Sequence, residues 1–263
     1  MVIANGVLAQ TIDSTKEITL KECWISNLPT DRPGQSYNPQ TLFKNQWQIQ
    51  AGTSWGTFYN LKRGRDINVT AFPVDIRYGI THRLELMFSP SFGFGTVPGG
   101  GGIEYTLSSY SGNLRYSIFR DRPYGSLGVL ATYEYATYES GLETANAYKI
   151  KAMYSVGFSN LVTFTSNLGF GSISSGPNFI PYTVNLSFAI LPKLGFYVEA
   201  YGDINLSDLE NVDNPFYYDA GLYYLPNANL QFDAGYNRGG TSSFTDDFVF
   251  IGISYRFGFY KKS

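Results

Sequence analysis

Residues Val249 to Tyr260 read V-F-I-G-I-S-Y-R-F-G-F-Y, and every second position is apolar or aromatic: Val249, Ile251, Ile253, Tyr255, Phe257 and Phe259. Gly252, Ser254, Arg256 and Gly258 stand between them. Side chains of a strand point alternately to its two faces, so a period of two predicts a strand with one apolar face and one polar face. The apolar face runs almost to the last residue of the chain. Any fold for this sequence must give that face an apolar surrounding.

The same period recurs upstream with hardly a break, and alternation predicts about twelve strands. They are Asn45–Phe58, Asp66–Tyr78, Arg83–Gly95, Tyr105–Phe119, Gly125–Tyr138, Ala147–Phe158, Val162–Gly171, Ile180–Ile190, Leu194–Ile204, Phe216–Leu225, Leu230–Asn237 and the terminal run. In the first, Trp47, Ile49, Ala51, Thr53 and Trp55 oppose Gln46, Gln48, Gln50, Gly52 and Ser54. In the sixth, Tyr148, Ile150, Ala152, Tyr154 and Val156 oppose Lys149, Lys151, Met153 and Ser155. Connections of two kinds take turns along the chain. G-I-T-H, R-D-R-P, the bend at Asn160, L-P-K and L-P-N-A are tight. T-V-P-G-G-G-G, E-S-G-L-E-T-A-N, S-I-S-S-G-P-N-F, N-L-S-D-L-E-N-V-D-N and R-G-G-T-S-S-F-T-D-D are longer.

Only 15% of the residues are charged, Tyr and Phe number 22 and 20, and yet no run approaches the ~18–20 apolar residues of a spanning helix. Alternating strands reconcile these facts, because a barrel exposes one apolar face to lipid and turns the other inward. Lipid offers no hydrogen-bond partner, so a sheet inside it must close on itself. The predicted fold is therefore all-β, a transmembrane antiparallel barrel of about twelve strands over residues 45–260. Short turns lie on the periplasmic side and longer loops outside. A soluble β-sandwich is the remaining fold alternative; Greek-key crossovers give it no reason to alternate short and long connections. Trp47, Tyr59, Tyr78, Tyr105, Tyr138, Tyr182 and Tyr255 sit near strand ends, where aromatic girdles meet the membrane interface.

Residues 1–9 are predicted to be the remnant of a signal peptide, with Val7 and Ala9 at the small-residue positions of a cleavage site before Gln10. Residues 10–44 are predicted to form a periplasmic arm or partial plug, and 261–263 a tail. The prolines around T-D-R forbid ordinary helix or central strand. The lone Cys23 is expected to be a packed free thiol. A net charge of −2 with scattered basic residues gives no footprint for nucleic acid.

The interior is where the sequence places its charges. Asp75, Glu85, Glu134, Glu199, Asp203, Asp219 and Asp233 are predicted to face the lumen with Arg77, Arg83, Arg115, Lys149, Lys151 and Arg256. The signs nearly balance, which leaves two outcomes open. Paired charges fill a narrow bore; charges segregated on opposite walls make a transverse field in an open one. Asp31 and Arg32 are the arm residues expected to pair with lumen charges at the periplasmic mouth. No metal or cofactor is expected. Asp208, Glu210 and Asp213 lack the dense acidic ladder of a calcium loop, and Gly99 to Gly102 lacks the Lys-Ser/Thr pair and helix of a phosphate loop.

Four fragments in order carry a resemblance. T-D-R-P-G at Thr30, Y-G-I-T-H-R-L-E-L at Tyr78, Y-D-A-G-L-Y-Y-L-P-N-A-N-L-Q-F-D-A-G-Y-N-R-G at Tyr218 and the closing G-I-S-Y-R-F resemble the outer-membrane transporter family named for a phenol meta-pathway role. That resemblance implies an exported barrel and a diffusion channel for small, aromatic or hydrophobic compounds. It brings no defined substrate-contact motif. The expected partners are outer-membrane lipid, a small solute if the bore conducts, and other envelope proteins if it does not, the barrel then being a structural or interaction subunit. An enzyme is not expected. Serine-hydrolase chemistry on a barrel needs a His beside a Ser at the outer rim, whereas the only histidine, His82, falls in a periplasmic turn.

Overall fold

The computed structural model describes residues 28–60, 65–96, 103, 105–138, 143–174, 176–206, 214–240 and 247–258. The signal-peptide remnant, Cys23, the glycine run, the acidic group at 208–213, Phe259 and the tail lie outside the described residues, as do the side chains of Tyr59, Tyr105 and Tyr138.

Twelve strands form one closed antiparallel barrel. They are β1 (Gln46–Asn60), β2 (Arg65–Gly79), β3 (Leu84–Thr96), β4 (Tyr105–Arg122), β5 (Gly125–Tyr138), β6 (Glu143–Gly157), β7 (Val162–Ile173), β8 (Asn178–Leu191), β9 (Leu194–Asn205), β10 (Phe216–Asn227), β11 (Leu230–Gly239) and β12 (Asp247–Gly258). Each strand pairs with its sequence neighbours. The terminal run, β12, closes the ring on β1 in an unbroken register from Gln46↔Gly258 to Thr57↔Asp247. Closure pairs every strand on both sides, the condition for a sheet in lipid.

The strands reach further into the connections than alternation suggested. Glu143 to Asn146, expected in a loop, begin β6, and β4 continues through Arg120 to Arg122 before its turn. Both extensions continue a ladder with β5, which supplies backbone partners that a residue-by-residue polarity reading does not see. The turn end of the barrel keeps connections of two to four residues, such as 192–193, while at the opposite end they run from four residues, as at 61–64, 139–142 and 174–177, to ten at 206–215, so the expected alternation of short and long holds only in part.

The face assignment follows from exposure. Ile150, Leu222, Ile251 and Tyr255 are each about half exposed on the outside, as are Leu86, Phe88 and Phe92. An apolar surface of this extent all around a chain has no stable home in water and suits hydrocarbon. Trp47 and Tyr78, a cross-strand pair near the turn end, lie 4.5 Å apart between ring centroids with their planes tilted by 38°. On the inner face Gln46, Gln48, Gln50, Arg77, Glu85, Arg115, Asn167, Ser254 and Arg256 are fully buried. The core of this protein is thus polar and inside-out relative to a water-soluble barrel.

Ile251 sits on the lipid face where β12 meets both β1 and β11. Ile251→Arg is expected to lower folding stability in bilayers by about 2–4 kcal/mol, measured by reversible urea unfolding into lipid vesicles.

Candidate functional site: a lumen crossed by the N-terminal arm

Residues 28–44 do not hang below the barrel; they run inside it. Asn45, at φ 65°, turns the chain from the lumen into the wall, a left-handed conformation that Asn tolerates better than most residues. Its N–H donates to the Gly79 carbonyl, which fixes the junction against the end of β2.

Two sets of contacts hold the arm. The first is on β2, β3 and β4. Arg77 donates through Nε to Glu85 Oε1 at 2.8 Å and lies 3.4 Å from Asp31, while Arg115 donates to Asp31 Oδ2 at 2.7 Å. Arg115 is also 3.5 Å from Glu85, so the four side chains form one cluster, all buried. The Leu42 N–H donates to Glu85 Oε2, and Arg77 donates to the Pro29 carbonyl. Thr41 donates to the His82 carbonyl and accepts, at its own carbonyl, from Arg120.

The second set lies across the bore. Arg32 donates through Nη2 to Asp233 Oδ1 at 2.8 Å and through Nε to both carboxylate oxygens. Its guanidinium fills a notch at the closing seam where Gly52 and Gly252 face each other across β1 and β12. A Cβ built on Gly252 would stand 2.1 Å from that guanidinium. Only the absence of side chains at both positions leaves room for it. Further on, the Gln35 N–H and the Ser36 hydroxyl donate to Glu199, Ser36 Oγ lies 2.8 Å from Thr183 Oγ1, and Tyr37 exchanges two backbone hydrogen bonds with the Asn167 amide. Lys151 places its ammonium 4.9 Å from the Tyr37 ring centroid.

The structure separates the candidate lumen residues into three groups. Arg77, Glu85, Arg115, Glu199 and Asp233 meet the arm directly, through Asp31, Arg32 and their neighbours. Glu134, Lys149, Asp203 and Asp219 line the half nearer the loops, where Lys149 and Glu134 pair at 2.7 Å and Asp219 is buried beside Glu199, Tyr197 and Asn237, whereas Asp75 lies in the turn half of β2, beside Ser89 and two residues from Arg77. Lys151 lies between, over Tyr37. Arg83 and Arg256 differ from these. Arg83 is exposed in the bend before β3, since the strand begins one residue later. Arg256 is buried on the inner face but turned to the β10–β11 connection, donating to Asn229 Oδ1 and the Ala228 carbonyl. His82 is exposed on the β2–β3 turn, its ring edge-on to Phe43.

Sequence reasoning did not single out Tyr37, Leu42, Arg120 or the Gly52–Gly252 notch. The one signal available was that two inward rows carry glycine at positions that face each other across the predicted closing seam.

Beside the arm a cavity of about 540 Å³ remains at the turn end, bordered by Thr30, Pro33, Gly34 and Ser36 of the arm and by Ser126, Ser155, Thr165 and Tyr197 of the wall. The bore is therefore crossed but not full.

No protein-family model and no curated protein matches the sequence. Solved structures do match. The COG4313 outer membrane channel from Pseudomonas putida F1 superposes with a TM-score of 0.60 at 14% identity, covering 86% of this chain and 99% of that one. The KdgM porin, solved with disordered oligogalacturonate, gives 0.53 at 9% identity over 82% and 99% of the two chains. The translocator domain of the autotransporter NalP from Neisseria meningitidis gives 0.52 at 14% over 82% and 90%. The fold is that of an integral outer-membrane barrel. At these identities the likeness is one of fold, and the arm contacts above are read from this chain alone.

Among the described residues, Asp31 is the one acidic side chain that the arm gives to the Arg77–Arg115–Glu85 cluster. Removing one partner from a buried ionic cluster costs about 3–5 kcal/mol, so Asp31→Ala is expected to undock the arm. Limited proteolysis of the refolded protein should then cut within residues 28–44 while the barrel stays resistant.

Proposed function

We propose that the protein is a passive outer-membrane channel for small solutes in which residues 28–44 act as an internal plug that narrows the path without closing it. The observation that supports this most is the cavity of about 540 Å³ left between the arm and the wall of β5 to β9. A barrel packed purely for rigidity has no use for it. Solved barrels of the same fold include channels and porins, one of them titled as a complex with an oligosaccharide, and this favours transport over catalysis. The motif resemblance to the phenol meta-pathway transporter family points the same way.

A second reading has its own observation. The arm is held by ion pairs at both sides of the bore and by buried backbone hydrogen bonds, and a plug held this firmly suits a non-conducting barrel that serves as a structural or interaction subunit of an envelope complex.

Planar-bilayer recording separates the two. The channel reading expects small, steady conductance steps from the full chain and several-fold larger steps after deletion of residues 28–44. Silence of both proteins at all voltages supports the subunit reading instead.

A further inference from the structure

The arm divides the bore unequally, and the division sorts the chemistry of the walls. On the side of β2, β3 and β4, the buried charges Arg77, Glu85 and Arg115 are consumed by the arm. On the opposite side, in the turn half of β5 to β8, the cavity is lined by Ser126, Ser155, Thr163, Thr165, Asn185 and Ser187. None of these six is ionisable. Ser155 and Thr165 share a hydrogen bond at 3.0 Å and Ser187 donates to Asn185 at 2.9 Å, which leaves acceptor capacity on each hydroxyl and a free donor on one of the Ser155–Thr165 pair.

Four charged residues also line the cavity: Asp31 and Arg32 of the arm, and Asp121 and Arg122 of the wall. Asp31 and Arg32 are engaged in ion pairs, and Asp121 accepts from the Gln40 amide beside Arg122 at the turn-end mouth. Tyr197, 1% exposed, also lines the cavity, on β9 opposite Ser187, with its hydroxyl beside the Asp219 carboxylate.

We infer that the cavity along β5 to β8 admits small uncharged solutes bearing several hydroxyl groups, such as polyols and monosaccharides, which this wall hydrogen-bonds. The inference rests on the channel reading above. A hydroxyl group both donates and accepts, so a polyol trades its water for wall hydroxyls group by group as it advances. An ion has no such exchange along these six side chains, which offer it no counter-charge. The volume fits, since sites for small molecules run to about 300–1,000 Å³. Beyond it Ser36 and Tyr37 are hydrogen-bonded directly to Thr183 and Asn167, so the arm itself bounds the space a solute can occupy.

The test compares three solutes of one carbon frame: glucose, glucosamine and gluconate. Each is loaded into proteoliposomes holding the full chain, and its efflux is timed. Glucose is expected to leave several-fold faster than either charged analogue. A Thr165→Cys variant in a Cys23→Ser background, folded first and then labelled with a bulky uncharged thiol reagent, should lose most glucose flux and regain it on reduction. Mass spectrometry confirms the label, and because folding precedes it, a misfolded variant is not mistaken for a blocked path. Charged analogues leaving as fast as glucose, or a labelled Thr165→Cys protein that passes glucose unchanged, overturns the inference and leaves the channel reading standing. Absence of flux for all three together with absence of conductance overturns both.

Discussion

The buried cluster of Arg77, Arg115, Glu85 and Asp31 is the interaction on which the interior depends. In direct contact here the wall supplies two guanidiniums and one carboxylate, all fully buried, with Asp75 of β2 close by. An unpaired cation there is severely unfavourable, and the second carboxylate comes from the arm. With Asp31 in place, the backbone around it follows: Pro29 and Leu42 meet Arg77 and Glu85, and Arg32 is carried across to Asp233. The arm is thus a component of the barrel's charge balance, and the wall is incomplete without it.

This interior sits within a shell governed by a different rule. Outside, lipid requires an apolar surface and a sheet without free edges, which β12 provides by pairing with β1 along its whole length. The two demands fall on alternate residues of the same strands. Ile251 and Ile253 face lipid while Gly252 makes the notch for Arg32 and Ser254 meets Thr30. One strand therefore closes the membrane seam and seats the plug at once.

Much of the shell was legible in the sequence, because alternation is a local property. Lys149 and Lys151 within a run of Tyr148, Ile150 and Ala152 leave a single reading of which face is wet. Strand ends were less legible: Glu143 to Asn146 look like loop residues, and it is their ladder with β5 that makes them strand. In the interior, polarity separates lumen from lipid but does not say which lumen charges meet. Arg83 and Arg256 share their row's parity with Glu85 and Ser254, yet the first lies in a bend and the second turns to a connection. Pairings such as Ser36 with Glu199, far apart in sequence, depend on the path of an irregular arm, and prolines and polar residues without a period do not encode that path. T-D-R-P marked the two residues that carry opposite charge, but not where in the bore they come to rest.

The docked arm is the central claim, and a cross-link tests it most directly. Ser36 Oγ lies 2.8 Å from Thr183 Oγ1, one on the arm and one on β8. Ser36→Cys and Thr183→Cys, combined in a Cys23→Ser background and folded under reducing conditions, are expected to form a disulfide rapidly on mild oxidation, seen as a mobility shift reversed by reductant. If both thiols instead stay free and react readily with a bulky water-soluble reagent from the bulk phase, the arm does not lie where it is described, and the account of the lumen fails.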